Sequence, residues 1–564
     1  MIPLPHSIPA RQYAVQLIGP DRLRLNREKE VPLPGPHGIL ARVEAVGLCF
    51  SDLKLLKQFA QHPRKGEITS GVSTDVLREI PSFVPGDMPT VPGHEAACRI
   101  VRVGNLVKHH NVGERVLVQA DYRCFRTAGS NAAFGYNFEG ALQEYVYTDE
   151  RVAIDPATGG RFLIPVGEDL SASAVALVEP WACVEDSYVS AERRGPKPGG
   201  HMLVVADTSH LVEGLAEAFR LSGKPARITA VCPDPAEMRR VGALGVPLAA
   251  APDVAAVPDE SCDDVVYFGA RRETVEALNG RLSHGGIINI VLGGKRIGED
   301  VSVGVGRVHY GLTRWVGTRG TSAAESYSAI PPSGEVRPGE KIVVVGAGGP
   351  MGQMHVIRGL ASGVPGIEIT ATDVDDARLA ALAAKTLPLA KARGVPLRLV
   401  NSAKGAVTGK ASYVALMAPV ASLVADAVKS SAAGCLINIF AGIPAAARQP
   451  LDLDAYIANR CFMCGSSGSI VRDMMIVLSK VESGRLDTNA SVDAVSGMAG
   501  ALDGLAAVEH RTLSGKIIVY PMLHDLGLVP LSRLSRDLPE VARKLDGGLW
   551  SKAAEEELLR ESAG

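Results

Sequence analysis

The chain has 564 residues, 46% of them hydrophobic, and a formal net charge of −2. This length predicts about three domains with cores of their own. The balanced charge, with no long run of one sign, speaks against nucleic acid or an anionic membrane surface as a partner. No apolar run is long enough to span a bilayer, and the opening MIPLPHSIPARQY lacks the apolar stretch of a signal peptide. The 9 cysteines show no small-domain spacing, which suits reduced thiols in a cytoplasmic protein.

In chain order, LARVEAVGLCF (40–50), VPGHEAACRIVRVG (91–104) and YNFEGALQEYVY (136–147) come first. They are short alternating runs between glycine turns and predict a small β-rich domain. Cys49, the adjacent His94 and Glu95, and Glu179 of ALVEPWAC could together hold a metal. Thiolate, imidazole and carboxylate form a borderline-soft set suited to zinc, and three protein ligands with one open position make a catalytic site. From these residues alone the reading stays open, because a buried cysteine and a histidine in an unrelated loop are commoner than a metal site.

The strings GLCFSD (47–52), VPGHE (91–95), GERV (113–116), EGALQEY (139–145) and EPWA (179–182) follow one another in this order. In that order they resemble the zinc-dependent medium-chain dehydrogenases, and Glu179-Pro180 places the likeness nearest the polyol (sorbitol-type) and threonine dehydrogenase branch. The resemblance covers residues 1–190, a glycine-rich segment further on and the closing TLSGKIIVYP (512–521). It implies a GroES-like catalytic domain with one catalytic zinc. Cys49 and His94 would be ligands, Glu95 a third ligand or close neighbour, and Glu179 a direct or water-mediated ligand exchanging with Glu95. Ser51 would pass on the proton of the substrate alcohol, and Asp52 would orient the ligand loop. Lys54, one helical turn on, would carry the proton towards solvent or meet a substrate hydroxyl. Only Cys124 lies where many relatives carry a four-cysteine lobe, so no structural zinc is expected. The extra segment QHPRKGEITSGVSTDVLREIPSFVPGD (61–87) would form a lid, a substrate wall or a plain surface excursion.

The middle of the chain repeats itself. KPGGHMLVV (197–205) matches RPGEKIVVV (337–345), DDVVYFGA (263–270) matches SYVALMAP (412–419), GGIINIVLGG (285–294) matches AGCLINIFAG (433–442), and RWVGTRGTS (314–322) matches FMCGSSGS (462–469). A steady offset of about 140 to 150 residues is a domain-sized repeat, not a solenoid. Each copy alternates apolar runs with helical segments, the pattern of a doubly wound parallel sheet. The fold class expected is therefore α/β: a GroES-like β-rich catalytic domain plus two tandem Rossmann-type domains. The expected boundaries are 1–190 completed by 508–564, then 197–332 and 337–507.

In the second copy an apolar run ends in GAGGPMG (346–352), a helical segment follows, and a second apolar run ends in Asp373. Strand, glycine turn, helix, strand and acid together cradle a dinucleotide. Gly346, Gly348, Gly349, Met351 and Gly352 would approach the pyrophosphate, and Asp373 would take the ribose hydroxyls. An acid there favours NAD over NADP, although Arg378 lies further along the helix. The first copy has ADTSHLV (206–212) at the turn, with no glycine, and Asp234 as a remnant acid. The second copy is thus read as the cofactor site. A counter-reading remains, in which the first copy, following the metal domain directly, holds another ligand. Cys461 and Cys464 are read as a packed, inert pair.

The expected function is a zinc-dependent oxidoreductase moving a hydride between NAD and a secondary alcohol or ketone of a polyol, sugar or related small hydroxylated substrate. Two rivals stand beside it: an epimerase or lyase cycling a tightly held NAD, and a non-catalytic binding protein on the same scaffold. The assembly is either a homodimer or a monomer with an internal pair of Rossmann domains.

Overall fold

The computed structural model describes residues 8–466 and 468–562. Most of the opening segment read for a signal peptide, Ser467 of FMCGSSGS and the last two residues lie outside the described residues. The chain folds into two compact units, residues 1–185 with 468–564, and residues 186–467.

The first unit is built on an eight-stranded, mainly antiparallel sheet. Gly38–Gly47 lies near its middle and is buried at every residue. Its neighbours include Glu95–Val103 and Tyr145–Asp149 from the N-terminal third and Lys516–Val519 from the far end of the chain. A strand buried on both faces has few polar residues, and those present must be paired. Glu44 accepts from Arg99 at 2.8 Å and from Arg115 at 2.6 Å, tying three adjacent strands together.

Two segments differ from the sequence reading. Residues 468–507, expected with the second parallel sheet, pack in this first unit, where Val492–Ser496 runs parallel to Lys516–Val519. That pairing satisfies the strand's backbone groups, which periodicity alone could not assign. The extra segment 61–87 is no plain surface excursion. Ile68–Ser70 pairs with Asp121–Thr127, and Ile68, Leu77 and Ile80 enter the hydrophobic core. Lys65 is fully buried and donates to the carbonyls of Val84 and Met88, and burial pushes its ammonium down to about 7.

The second unit holds two six-stranded parallel sheets. In the first the spatial order is Leu248–Ala250, Arg227–Val231, His201–Ala206, Cys262–Phe268, Leu282–Val291, Arg314–Thr318. In the second it is Leu397–Asn401, Glu368–Asp373, Lys341–Val345, Ala411–Leu416, Ser431–Ile439, Phe462–Cys464. Numbered along the chain, both read 3-2-1-4-5-6, the doubly wound order whose reversal beside strand 1 opens a ligand crevice. One continuous core contains Leu203, Ile288 and Trp315 of the first sheet and Val414, Ile437 and Met463 of the second. Val301–Val303 pairs antiparallel with Gln449–Leu451, joining the two halves by a ladder. Tyr456 donates to Trp315 O at 2.8 Å and accepts from Met463 N at 2.9 Å. Cys461 and Cys464 are buried free thiols, and burial pushes Cys464 up to about 12.

Candidate functional site

Cys49 ends the loop before the helix Phe50–Gln58, and the helix N-terminus turns its partial positive charge towards it. Asp52 is completely buried. Its Oδ2 accepts from Cys49 N at 3.1 Å, and its Oδ1 pairs with His94 Nδ1 at 3.0 Å and accepts from Gly93 N at 3.4 Å. One carboxylate therefore positions both expected ligands. Burial opposes charge on His94, but Asp52, together with Tyr136 and Cys49, outweighs it and raises the imidazole well above its usual range.

Ligand atoms of Cys49, His94 and Glu95 lie within 4.8 Å of one another. Glu95 sits opposite Gly47, where a Cβ would overlap its carboxylate, so only glycine leaves room. Glu95 Oε1 is paired with Lys516 Nζ, which also donates to Leu48 O at 3.0 Å. Glu95 Oε2 is buried and has no hydrogen-bond partner among the described residues. An orphaned carboxylate oxygen beside a thiol and an imidazole fits a zinc ion, and a carboxylate behind the histidine is the usual support for such a ligand.

Ser51 Oγ lies 3.1 Å from both Cys49 Sγ and His94 Nε2. Glu179 is buried but falls outside the three-residue cluster. Burial raises its carboxyl to about 7, with Glu95 adding to the rise and His94 and Lys516 opposing it. Lys54 is exposed on the helix Phe50–Gln58.

Three residues escaped the sequence reading in whole or part. Lys516 was visible as a single cation opening the apolar run KIIVY. Tyr136, whose ring centre lies 5.9 Å from that of His94, gave no signal of its own. Asp52 was assigned to the loop but not to the imidazole.

In the second parallel sheet, Lys341–Val345 leads through Gly346 (φ +79°) to the helix Pro350–Ala361, with Gly349 at its N-cap. A Cβ on Gly352 would overlap Gly346 O, so helix and strand approach too closely for any side chain there. A Cβ on Gly348 would lie 2.6 Å from Arg378 Cβ and 2.9 Å from Asp373 Oδ2. Around Gly349 the space is open. Met351 is half-buried on the helix. Asp373 ends the strand Glu368–Asp373 and accepts from Gly348 N at 2.9 Å. The glycine turn and the acid thus meet, as a dinucleotide cradle requires. In the first sheet, the equivalent loop is closed by the buried Glu237 carboxylate, which accepts from Val212 N at 2.7 Å. Asp234 caps the helix Pro235–Gly242 by accepting from Ala236 N.

Residues 35–156 match the alcohol dehydrogenase GroES-like domain. An uncharacterized protein of Escherichia coli K12, YggP, is 27% identical over 304 residues, covering 47% of this chain and 68% of that protein. Sorbitol dehydrogenase of Bos taurus is 35% identical over 101 residues, covering 18% of this chain and 22% of the enzyme. That of Arabidopsis thaliana is 34% identical over 120 residues, covering 21% and 27%. The chain therefore spans about two thirds of the first relative and under a third of the sorbitol dehydrogenases. Among solved structures, an Escherichia coli oxidoreductase/dehydrogenase of unknown specificity aligns at 16% identity over 90% of this chain and 99% of its own, with a TM-score of 0.49. Residues 35–156 thus carry a GroES-like domain of the kind found in alcohol dehydrogenases, and the same chain holds two doubly wound, Rossmann-like parallel sheets.

Proposed function

We propose that the protein is a zinc-dependent dehydrogenase that transfers a hydride between NAD and a secondary alcohol or ketone of a polyol or sugar. The observation that carries this reading is the convergence of Cys49, His94 and Glu95 ligand atoms within 4.8 Å, backed by Asp52. The substrate class follows the relatives named sorbitol dehydrogenase. When bound, zinc supplies a Lewis acid for the substrate oxygen and NAD a hydride acceptor.

Cys49, His94 and Glu95 would hold the metal, and Glu179 is the carboxylate that would exchange with Glu95. Asp52 fixes the imidazole so that Nε2 faces the ligand position. Ser51 Oγ, within hydrogen-bond reach of that position's ligands, takes the substrate's hydroxyl proton. Lys54, exposed on the next turn, passes it towards solvent. Gly346, Gly348, Gly349, Met351 and Gly352 receive the pyrophosphate of NAD, and Asp373 exchanges its backbone partners for the ribose hydroxyls. The two parallel sheets of like order are read as copies of one unit, paired within the chain as a second such subunit would otherwise supply. All nine cysteines are free thiols, which supports a reducing, cytoplasmic setting. No helix among the described residues is long and apolar enough to cross a membrane.

The test is metal analysis together with sorbitol-dependent NADH formation, on wild type, Cys49→Ser, Ser51→Ala and Gly348→Asp. Wild type should carry about one zinc per chain. Cys49→Ser should lose metal and turnover, Ser51→Ala should keep metal and lose turnover, and Gly348→Asp should keep metal and lose NAD binding. Zinc retained in Cys49→Ser, or NAD binding unchanged in Gly348→Asp, would overturn the assignment.

A further inference from the structure

At the carboxyl ends of the first parallel sheet lies a cavity of about 580 Å³. That size is ordinary for a small-molecule site. The cavity opens where the strand order reverses, between His201–Ala206 and Cys262–Phe268. A dinucleotide is a poor fit for it. The loop above lacks glycine, and Glu237 already places a carboxylate on the backbone amide that leads into the helix Leu215–Ser222.

What lines the cavity divides into two chemistries. Arg271, Lys295 and Arg296 bring three exposed cations to it. The Arg271 side chain makes no hydrogen bond or ion pair among the described residues. Lys295 is held by Ser209 Oγ. Acceptors line it as well. Asp207 Oδ2 is taken by Tyr267 OH at 2.8 Å, and its second oxygen has no partner among the described residues. His210 is buried, at 7% exposure. Its Nε2 donates to Leu292 O at 3.2 Å, so Nδ1 carries the lone pair, and Nδ1 has no partner among the described residues.

We infer that this cavity binds a phosphomonoester carrying neighbouring hydroxyl groups. Arg271, Lys295 and Arg296 receive the phosphate, and Asp207 accepts from the hydroxyls. The site is separate from the glycine turn of the second sheet and does not depend on the dehydrogenase reading.

Calorimetric titration of the full-length protein, kept saturated with NADH, tests this with three probes: AMP, ribose 5-phosphate and inorganic phosphate. At least one of the two esters should bind with Kd below about 1 mM, and inorganic phosphate should bind at least tenfold more weakly. Binding of AMP alone assigns a nucleotide, and comparable binding of both esters assigns the sugar phosphate portion. The double variant Arg271→Glu with Lys295→Glu, both on exposed side chains, should lose at least tenfold in ester affinity with an unchanged melting temperature. Asp207→Ala should weaken the ester but not inorganic phosphate. The inference fails if neither ester binds, if the charge reversal changes nothing, or if inorganic phosphate binds as well as the esters. It also fails if NADH abolishes ester binding, since that would place the binding at the other sheet.

Discussion

At the scale of single residues, the candidate metal site depends on groups that are not themselves ligands. Asp52 uses both oxygens to hold the ligand loop and the imidazole in one geometry. Lys516 neutralises Glu95 where both are buried; burial opposes the lysine's charge, and Glu95 and Cys49 restore it. Removing one member of a buried pair leaves the other charge uncompensated. In metal-free protein, Lys516→Met should therefore cost ~3–5 kcal/mol in a denaturant melt. Adding Glu95→Gln should recover part of the loss. A cost below about 1 kcal/mol would mean that water reaches Glu95 and that the pair is not structural.

At the scale of elements, the segment 61–87 shows how an insertion becomes architecture. Arg64 lies 3.1 Å from Asp121, at the start of the strand Asp121–Thr127, to which Ile68–Ser70 is also paired. Burial opposes charge on Asp121, but Arg64 and Arg123 outweigh it and hold the carboxyl below its usual range. A carboxyl lowered in the folded state contributes stability above its ordinary pKa and loses it as pH falls through the lowered value. Arg64→Ala raises the folded-state value towards the ordinary one. Its stability, followed by urea melts from about pH 6 down to about pH 3, should begin to fall at a higher pH than that of wild type. Coincident curves would show that Arg123 alone carries the effect. The contrast with the glycine turn of the second sheet is physical. GAGGPMG was legible because its needs are local: a positive φ at Gly346 and a helix pressed against the strand end at Gly352. The insertion was not legible because its apolar residues, Ile68, Leu77 and Ile80, carry no periodicity, and their partners lie in strands far along the chain.

At the scale of the whole molecule, the two parallel sheets belong to one core, and this makes a prediction about cooperativity. Leu451 is fully buried on the two-stranded ladder between them, opposite Val301. Leu451→Ala should cost ~2–5 kcal/mol, as expected for a core cavity. In native-state hydrogen exchange on the full chain, the lost protection should extend through His201–Ala206 and Cys262–Phe268 as well as Lys341–Val345 and Ala411–Leu416. Loss confined to the second sheet would show two cores that merely touch.

By itself the sequence determined what depends on neighbours in the chain. Apolar runs separated by helical segments made two doubly wound sheets readable, the ordered motifs around Cys49, His94 and Glu95 marked a candidate metal site, and Gly346–Gly352 with Asp373 marked a candidate nucleotide turn. Only the tertiary structure decided which unit claims residues 468–507, that Lys516 pairs with Glu95, that Asp52 holds His94, and that the turn of the first sheet is closed by Glu237 beside an open cavity. The strand that brings 468–507 into the first unit is a backbone pairing, and the contacts of Lys516, Asp52 and Glu237 join buried polar groups that lie apart in the chain. Burial sets the desolvation cost of these polar groups and the partner at hand offsets it, and neither leaves a mark in the local pattern of residues.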